Sequence, residues 1–211
     1  MDTTACRAWI AEAARLVDQR ADRLTHLDAA IGDADHGINL RRGFAAAVAL
    51  LDQENPQTPG AVLAAVGSAL ITKTGGASGP LYGMGLRRAA KVLGDEPEIS
   101  AAQLGAALAA FLAGVQQLGA ADEGDKTMVD ALAPAVTAYQ AAIDGGGGLA
   151  EAARATADAA ERGLQATVPL QARKGRASYL GPRTVGHEDP GAASMALVLR
   201  ALATAVTGEP A

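Results

Sequence analysis

The sequence predicts an all-α fold: an eight-helix antiparallel up-and-down barrel or bundle. Three observations carry that expectation. Hydrophobic residues make up 49% of the 211 positions but aromatic ones only 3%, with heavy alanine use, a composition suited to close-packed helices. Apolar positions recur with a 3.6-residue period along most of the chain. The periodic segments are joined by short links, and a short link forces neighbouring helices to lie antiparallel. A chain of this length can bury one substantial core, so a single domain is expected over residues 1–211.

The first expected helix covers residues 4–27 and places Trp9, Ala13, Leu16, Val17, Leu24 and Leu27 largely on one face. A second runs over residues 36–52. The third is capped by Thr58, has Pro59 at its first position and continues to Thr74; the fourth spans residues 80–93. Ser100 with Gln103 has the form of a capping box and opens a fifth helix that runs to Leu118. Thr127 with Asp130 opens a sixth in the same manner, bent by Pro134 in its second turn. Glycines 145–148 form a flexible connector, residues 149–167 make the seventh helix, and Asp189 with Pro190 caps an eighth that ends near Gly208.

In an alternating bundle, consecutive links fall at opposite ends. The links after the second, fourth and sixth helices (residues 53–57, 94–99 and 144–148) contain only turn and solvent residues. Those after the first, third, fifth and seventh contain Asp28, Asp33, Asp35 and His36; the run from Thr74 to Pro80; residues 119–127; and residues 168–189. Every unusual segment falls on an odd-numbered link, so all four are expected at one end, where they can converge on one ligand.

Composition narrows the ligand classes. A formal net charge of -5 supplies no sequence-wide positive field for a nucleic-acid backbone. The single cysteine, Cys6, cannot form an internal disulfide, and the amino terminus lacks the order of a signal peptide, so a cytoplasmic setting is expected. The most apolar stretch, residues 104–115, is interrupted by Gly105 and Gly114 and is read as too short to cross a bilayer.

Asp28, Asp33 and Asp35 place three carboxylates within eight residues, with Gly32 and Gly37 free to shape a tight loop. A hard, oxygen-liganded cation is the natural occupant, and the spacing does not match the EF-hand; an exposed acidic helix end is the plain alternative. Near a nucleotide triphosphate, each close carboxylate pair would cost about 4 kcal/mol at about 4 Å and an effective dielectric near 20, which favours two magnesium ions over one. Residues 75–79, Gly-Gly-Ala-Ser-Gly, precede the fourth helix and could cradle phosphates at its amino terminus, although no Walker lysine follows. Taken alone they would read as a turn. Asn39 could aim its amide at the same phosphates, and Met128 is an adaptable surface for adenine. Arg176 or Arg183 could meet a phosphate, and the 189–191 Asp-Pro-Gly a ribose. His26 is read as a partner of the first helix's dipole and His187 as a surface or loop-anchoring residue.

Taken in order, Ile-Gly-Asp-Ala-Asp-His-Gly at 31–37 with Asn39, Gly-Gly-Ala-Ser-Gly-Pro at 75–80, Gly-Asp-Lys-Thr-Met at 124–128, and Gly-Arg-Ala-Ser-Tyr at 175–179 through His-Glu-Asp-Pro-Gly at 187–191 resemble the L subunit of dihydroxyacetone kinase, equivalent to the C-terminal, nucleotide-binding domain of the single-chain kinases. The resemblance covers nearly the whole chain. It implies an eight-helix barrel with ADP or ATP and two magnesium ions at one end, the metals held by Asp28, Asp33 and Asp35. It further implies nucleotide contacts from His36, Gly37, Ile38 and Asn39, from Ala77 and Ser78, from Gly119 and Met128, and from Arg176, Asp189, Pro190 and Gly191. One departure is Ala34, where the family pattern has glycine.

The implied activity is phosphoryl transfer to dihydroxyacetone held on a K-type partner subunit, with bound ADP recharged by a phosphocarrier subunit of the sugar phosphotransferase system. A second enzyme reading exchanges free ATP and takes another short ketose such as erythrulose. A third makes the chain a nucleotide-loaded module that contacts a transcriptional regulator, and a homodimer is compatible with each. No membrane or nucleic-acid partner is expected.

Overall fold

The computed structural model describes residues 1–209; the last two residues of the expected 1–211 domain lie outside the described residues. Eight α-helices follow in order among them: α1 Thr3–Ile31, α2 His36–Glu54, α3 Pro59–Lys73, α4 Ser78–Leu93, α5 Ala101–Gly119, α6 Val129–Asp144, α7 Leu149–Ala166 and α8 Pro190–Thr207. Each helix packs on the next, and α8 packs back on α1, which closes the ring into a barrel. The all-α architecture is therefore as expected.

The ring interior is filled by large side chains from successive helices. Trp9, Phe44, Tyr82, Phe111 and Tyr139 are essentially inaccessible to solvent. Phe44 meets Tyr82 edge-on at 6.2 Å between centroids, and Tyr82 meets Phe111 at 6.3 Å. Alanines and glycines between them let the backbones approach, and the Trp9 indole N–H is satisfied by the Val198 carbonyl of α8 at 2.8 Å. This bond ties the first helix to the last inside the core.

Local signals set the helix ends. Thr58 and Asp189 accept from the N–H groups of Ala61 and Ala192, and both bonds of the Ser100–Gln103 capping box are present. Several boundaries differ from expectation, among them the start of α4 at Ser78 rather than residue 80, and one element is new. The first helix continues to Ile31, so Asp28 sits in its last turn, and His26 is exposed more than a turn before the end, away from the carbonyls it was expected to face. The sixth begins at Val129, since the Asp130 carboxylate is used by the loop before it (N–H of Thr127, 2.7 Å; N–H of Gly124, 2.6 Å). Within the long last link, residues Arg176–Thr184 form 3-10 turns that no periodicity signalled, broken at Gly181 (φ 56°).

Alternation of the links holds. At the far end, the Met1 amino group donates to Ile99 O at 2.6 Å and the Thr3 hydroxyl to Gln57 O at 2.8 Å, which joins the start of α1 to the plain links after α2 and α4. The four unusual links meet at the opposite end. By length and composition α5 and α8 are each apolar enough to cross a bilayer, contrary to the reading of residues 104–115 as too short, because alanine and glycine carry the helix to 19 residues in α5. Both helices are ring members packed between neighbours.

Candidate functional site

The end where the odd links meet opens into a cavity of about 470 Å³. It is lined by the end of α1 and its loop, the turn before α4, the segment after α5 and the start of α8 with the long link before it. Four segments remote in sequence thus share one space because the barrel alternates.

The α1 loop is organised by Asp28, which is 7% exposed. One of its oxygens accepts from the N–H groups of Asp35 (2.9 Å) and His36 (3.1 Å), so the carboxylate both closes the loop and offers its remaining oxygen lone pairs. Asp28, Asp33 and Asp35 bring ligand oxygens within 4.8 Å of one another. Three carboxylates at that separation, one of them buried, fit a hard divalent cation. Across the mouth, Arg176 pairs with Asp33 at 2.8 Å, linking the long final link to this loop.

Ala34, between the two loop aspartates, has φ 63°. A Cβ in this left-handed conformation costs roughly 1–2 kcal/mol, part of which glycine would return as unfolded-state entropy. The Ala34→Gly variant should therefore be more stable by about 0.5–1 kcal/mol and should bind magnesium no more weakly; denaturant titration and magnesium titration check this. A less stable variant would show that the strain is absent.

His36 begins α2 and is half-buried, packed against α8. Its Nε2 lies 2.9 Å from the Ser194 hydroxyl, which also lies 2.9 Å from the Tyr82 hydroxyl and 3.0 Å from Gly191 O. Ser194 has one proton. The His36 ring also bonds the Pro190 backbone, whose only polar group is a carbonyl, so a neutral ring spends its N–H there and Nε2 competes with Gly191 O for the Ser194 proton. Burial holds the imidazole below its usual pKa, against the opposing pull of Asp28 and Asp35.

Among the other expected site residues, Ala77, Ser78, Gly119, Met128, Asp189, Pro190 and Gly191 line the cavity, as do His36, Arg176 and the three aspartates. Gly37, Ile38 and Asn39 do not. Gly37 is a packing residue, since a Cβ there would lie 2.0 Å from Ala21 O of α1. Ile38 is half exposed. Asn39 is buried beside the Gly75–Gly76 turn rather than in the cavity wall. Arg183 is exposed and away from the cavity, and His187 anchors its loop through its carbonyl rather than its ring.

Sequence reasoning assigned nothing to Lys126, which is 1% exposed on left-handed backbone (φ 62°). Its ammonium donates to Thr167 O at 2.7 Å and to His187 O, joining the end of α7 to the base of the final link. The link is further tied by Arg173 N–H to Asp125 O at 3.0 Å and Gly186 N–H to Val168 O at 2.8 Å. Burial pushes the Asp189 carboxyl up to about 7, although it accepts from Ala192 N–H and feels the Lys126 charge. Nothing in the sequence distinguishes Lys126 from a solvated lysine in a polar turn. Ser194 and Tyr82 were likewise legible only as helix positions.

Fold and cavity define a class: a closed helical ring whose one end combines a carboxylate cation site with a helix amino terminus able to receive an anion. A family model described as the DAK2 domain matches residues 30–204, and the chain belongs to that family. It is 38% identical over 197 residues to "PEP-dependent dihydroxyacetone kinase, ADP-binding subunit DhaL" of Escherichia coli (strain K12), which covers 93% of this chain and 94% of that one. Against "D-erythrulose kinase" of Mycolicibacterium smegmatis it is 36% identical over 203 residues, 95% of this chain but 35% of the relative. The dihydroxyacetone kinase of C. freundii, solved in complex with AMP-PNP and Mg2+, superposes with a TM-score of 0.71 at 26% identity over 96% of this chain. This chain spans about a third of that solved kinase.

Proposed function

We propose that the chain is the nucleotide-binding subunit of a phosphoenolpyruvate-dependent dihydroxyacetone kinase. ADP or ATP with magnesium occupies the end cavity, and the terminal phosphoryl group passes to dihydroxyacetone on a K-type partner subunit. The bound ADP is recharged in place by a phosphocarrier subunit of the phosphotransferase system. The observation that carries this reading is the convergence of three aspartates, the turn before α4 and the start of α8 on one cavity. The chain matches nearly the whole length of a separate ADP-binding subunit and about a third of the long single-chain kinases, and the likeness to the former supports the phosphoenolpyruvate-dependent reading.

Each segment has a task that its chemistry allows. Asp28, Asp33 and Asp35 would hold magnesium, two ions on the charge argument, which when bound neutralises phosphate charge and orients in-line transfer. The free N–H groups at the start of α4 and the Ser78 hydroxyl face the phosphates. Met128 and the start of α8 serve base and ribose, and Arg176 stands at the mouth. No group in the cavity is assigned to the ketose, so the partner decides which ketose is used. Erythrulose is therefore the second reading, favoured by the likeness to erythrulose kinases.

The reading also assigns residues 1–211 to one domain in the cytoplasm, without nucleic-acid or membrane partners; a homodimer and contact with a transcriptional regulator belong to it as further associations. Its test is retention and transfer. Purified protein should keep ADP through dialysis with magnesium and take label from a phosphorylated carrier protein. Labelling only by free ATP would replace the recharging scheme, and nucleotide binding with no transfer to a K-type partner would leave a binding module.

A further inference from the structure

We infer that Arg42 is a positioning residue: it fixes the orientation of the Asn39 amide so that the amide's N–H2 group, not its oxygen, faces the phosphate side of the site. The inference rests on the nucleotide reading above and adds a residue outside the cavity wall. Arg42 lies one turn after Asn39 on α2. Its Nε donates to Lys73 O, at the end of α3, at 2.8 Å, and its Nη2 lies 2.9 Å from Asn39 Oδ1. A guanidinium has donors only, so the Asn39 atom facing it is necessarily the oxygen. The amide nitrogen is thereby turned away from Arg42.

What that nitrogen faces follows from the glycine turn. A Cβ added at Gly76 would lie 3.7 Å from Asn39 Nδ2 and 3.9 Å from an Asp35 carboxylate oxygen, so the amide donors and a cation-site carboxylate border the same space beside the turn. Asn39 is 7% exposed; its oxygen accepts from Arg42, and its Nδ2, which has no partner among the described residues, is not one of the fully buried unpartnered atoms, so it stays open to the space beside the turn. An amide whose acceptor is satisfied and whose donors open onto the space beside a cation-site carboxylate suits an anionic oxygen. The approach is close: a Cβ at Gly75 would fall 2.7 Å from Asn39 Oδ1 and 2.9 Å from Arg42 Nη2. The Gly75–Gly76 turn therefore packs against the Arg42–Asn39 pair, and the same guanidinium ties the turn's preceding carbonyl to α2.

Without Arg42 the amide can rotate and present its oxygen, which would repel phosphate. Equilibrium binding of Mg·ADP should be measured for the wild type, Arg42→Ala, Arg42→Lys, Asn39→Ala and the Arg42→Ala/Asn39→Ala double variant, with thermal unfolding of each. Asn39→Ala should weaken binding about tenfold, the loss expected for one hydrogen bond to a charged acceptor. Arg42→Ala should weaken it severalfold, and the double variant no more than the worse single. Lysine should not rescue, because an ammonium does not reproduce the fork that holds Lys73 O and Asn39 together. A role limited to capping α3 would lower the unfolding temperature and leave Mg·ADP affinity in place. Wild-type affinity in Arg42→Ala, or additive losses in the double variant, would overturn the inference while leaving the nucleotide site standing. A wild type that binds no Mg·ADP would remove the site itself and the inference with it.

Discussion

Asp28→Asn should lose nucleotide retention by more than about 100-fold, a larger effect than the 10–100-fold typical of residues that only support a metal ligand. Two consequences add. The carboxylate charge that a cation requires is removed, and the acceptor shared by the backbone N–H groups of Asp35 and His36 is weakened from an ionised to a neutral group, with bonds of 2.9 and 3.1 Å at stake. The loop that aims Asp33 and Asp35 therefore loosens as one ligand is lost. Dialysis of ADP-loaded protein, followed by nucleotide quantification, reads the effect. Retention close to wild type would remove Asp28 from the metal set. The helical barrel itself should persist, since Asp28 sits at the last turn of α1 and the ring core lies below it.

Lys126→Met should destabilise the protein by about 1–3 kcal/mol, because one carbonyl is left without a partner and a second loses its charged donor. His187 O is the first and Thr167 O, which keeps the Leu170 N–H at 3.1 Å, the second, and they lie on either side of the final link. The link should open, and hydrogen exchange over residues 168–189 should accelerate more than in the ring helices. Loss of the lysine charge also removes an attraction that holds the Asp189 carboxyl down, so its pKa should rise above about 7. The sign follows from linkage: with a folded pKa above the unfolded one, the Asp189 contribution to stability is complete below about pH 4 and is lost as pH rises through about 7. In the variant that loss should move to higher pH. Unchanged exchange over the link would show that Lys126 does not hold it.

The barrel and the end that carries the site were legible because both depend on short-range information. Helix caps at Thr58, Ser100 and Asp189 are local bonds, and the parity of the links depends only on helix count. The extension of α1 to Ile31 was missed because Asp28 reads as a loop acid, whereas its backbone carbonyl still accepts from Gly32 N–H within the helical pattern. The 3-10 turns of residues Arg176–Thr184 were missed because nothing in their composition repeats. Their order comes from Thr184, whose buried hydroxyl accepts from Ala172 N–H at 2.9 Å and donates to Gly181 O at 2.8 Å.

By itself the sequence determined the helices, their alternation, and the acid, glycine and arginine segments that alternation brings to one rim, because periodicity, capping and loop length are properties of neighbours along the chain. Tertiary structure alone decided which side chains in those segments face the cavity and which hold others in place. Gly37 became a packing residue against α1, Asn39 was oriented by Arg42, and Lys126 became a buried tie between two loops. Each of these outcomes depends on where a guanidinium, an ammonium or a carbonyl from a distant helix comes to lie, and hydrogen-bond partners separated by tens of residues leave no mark on local pattern.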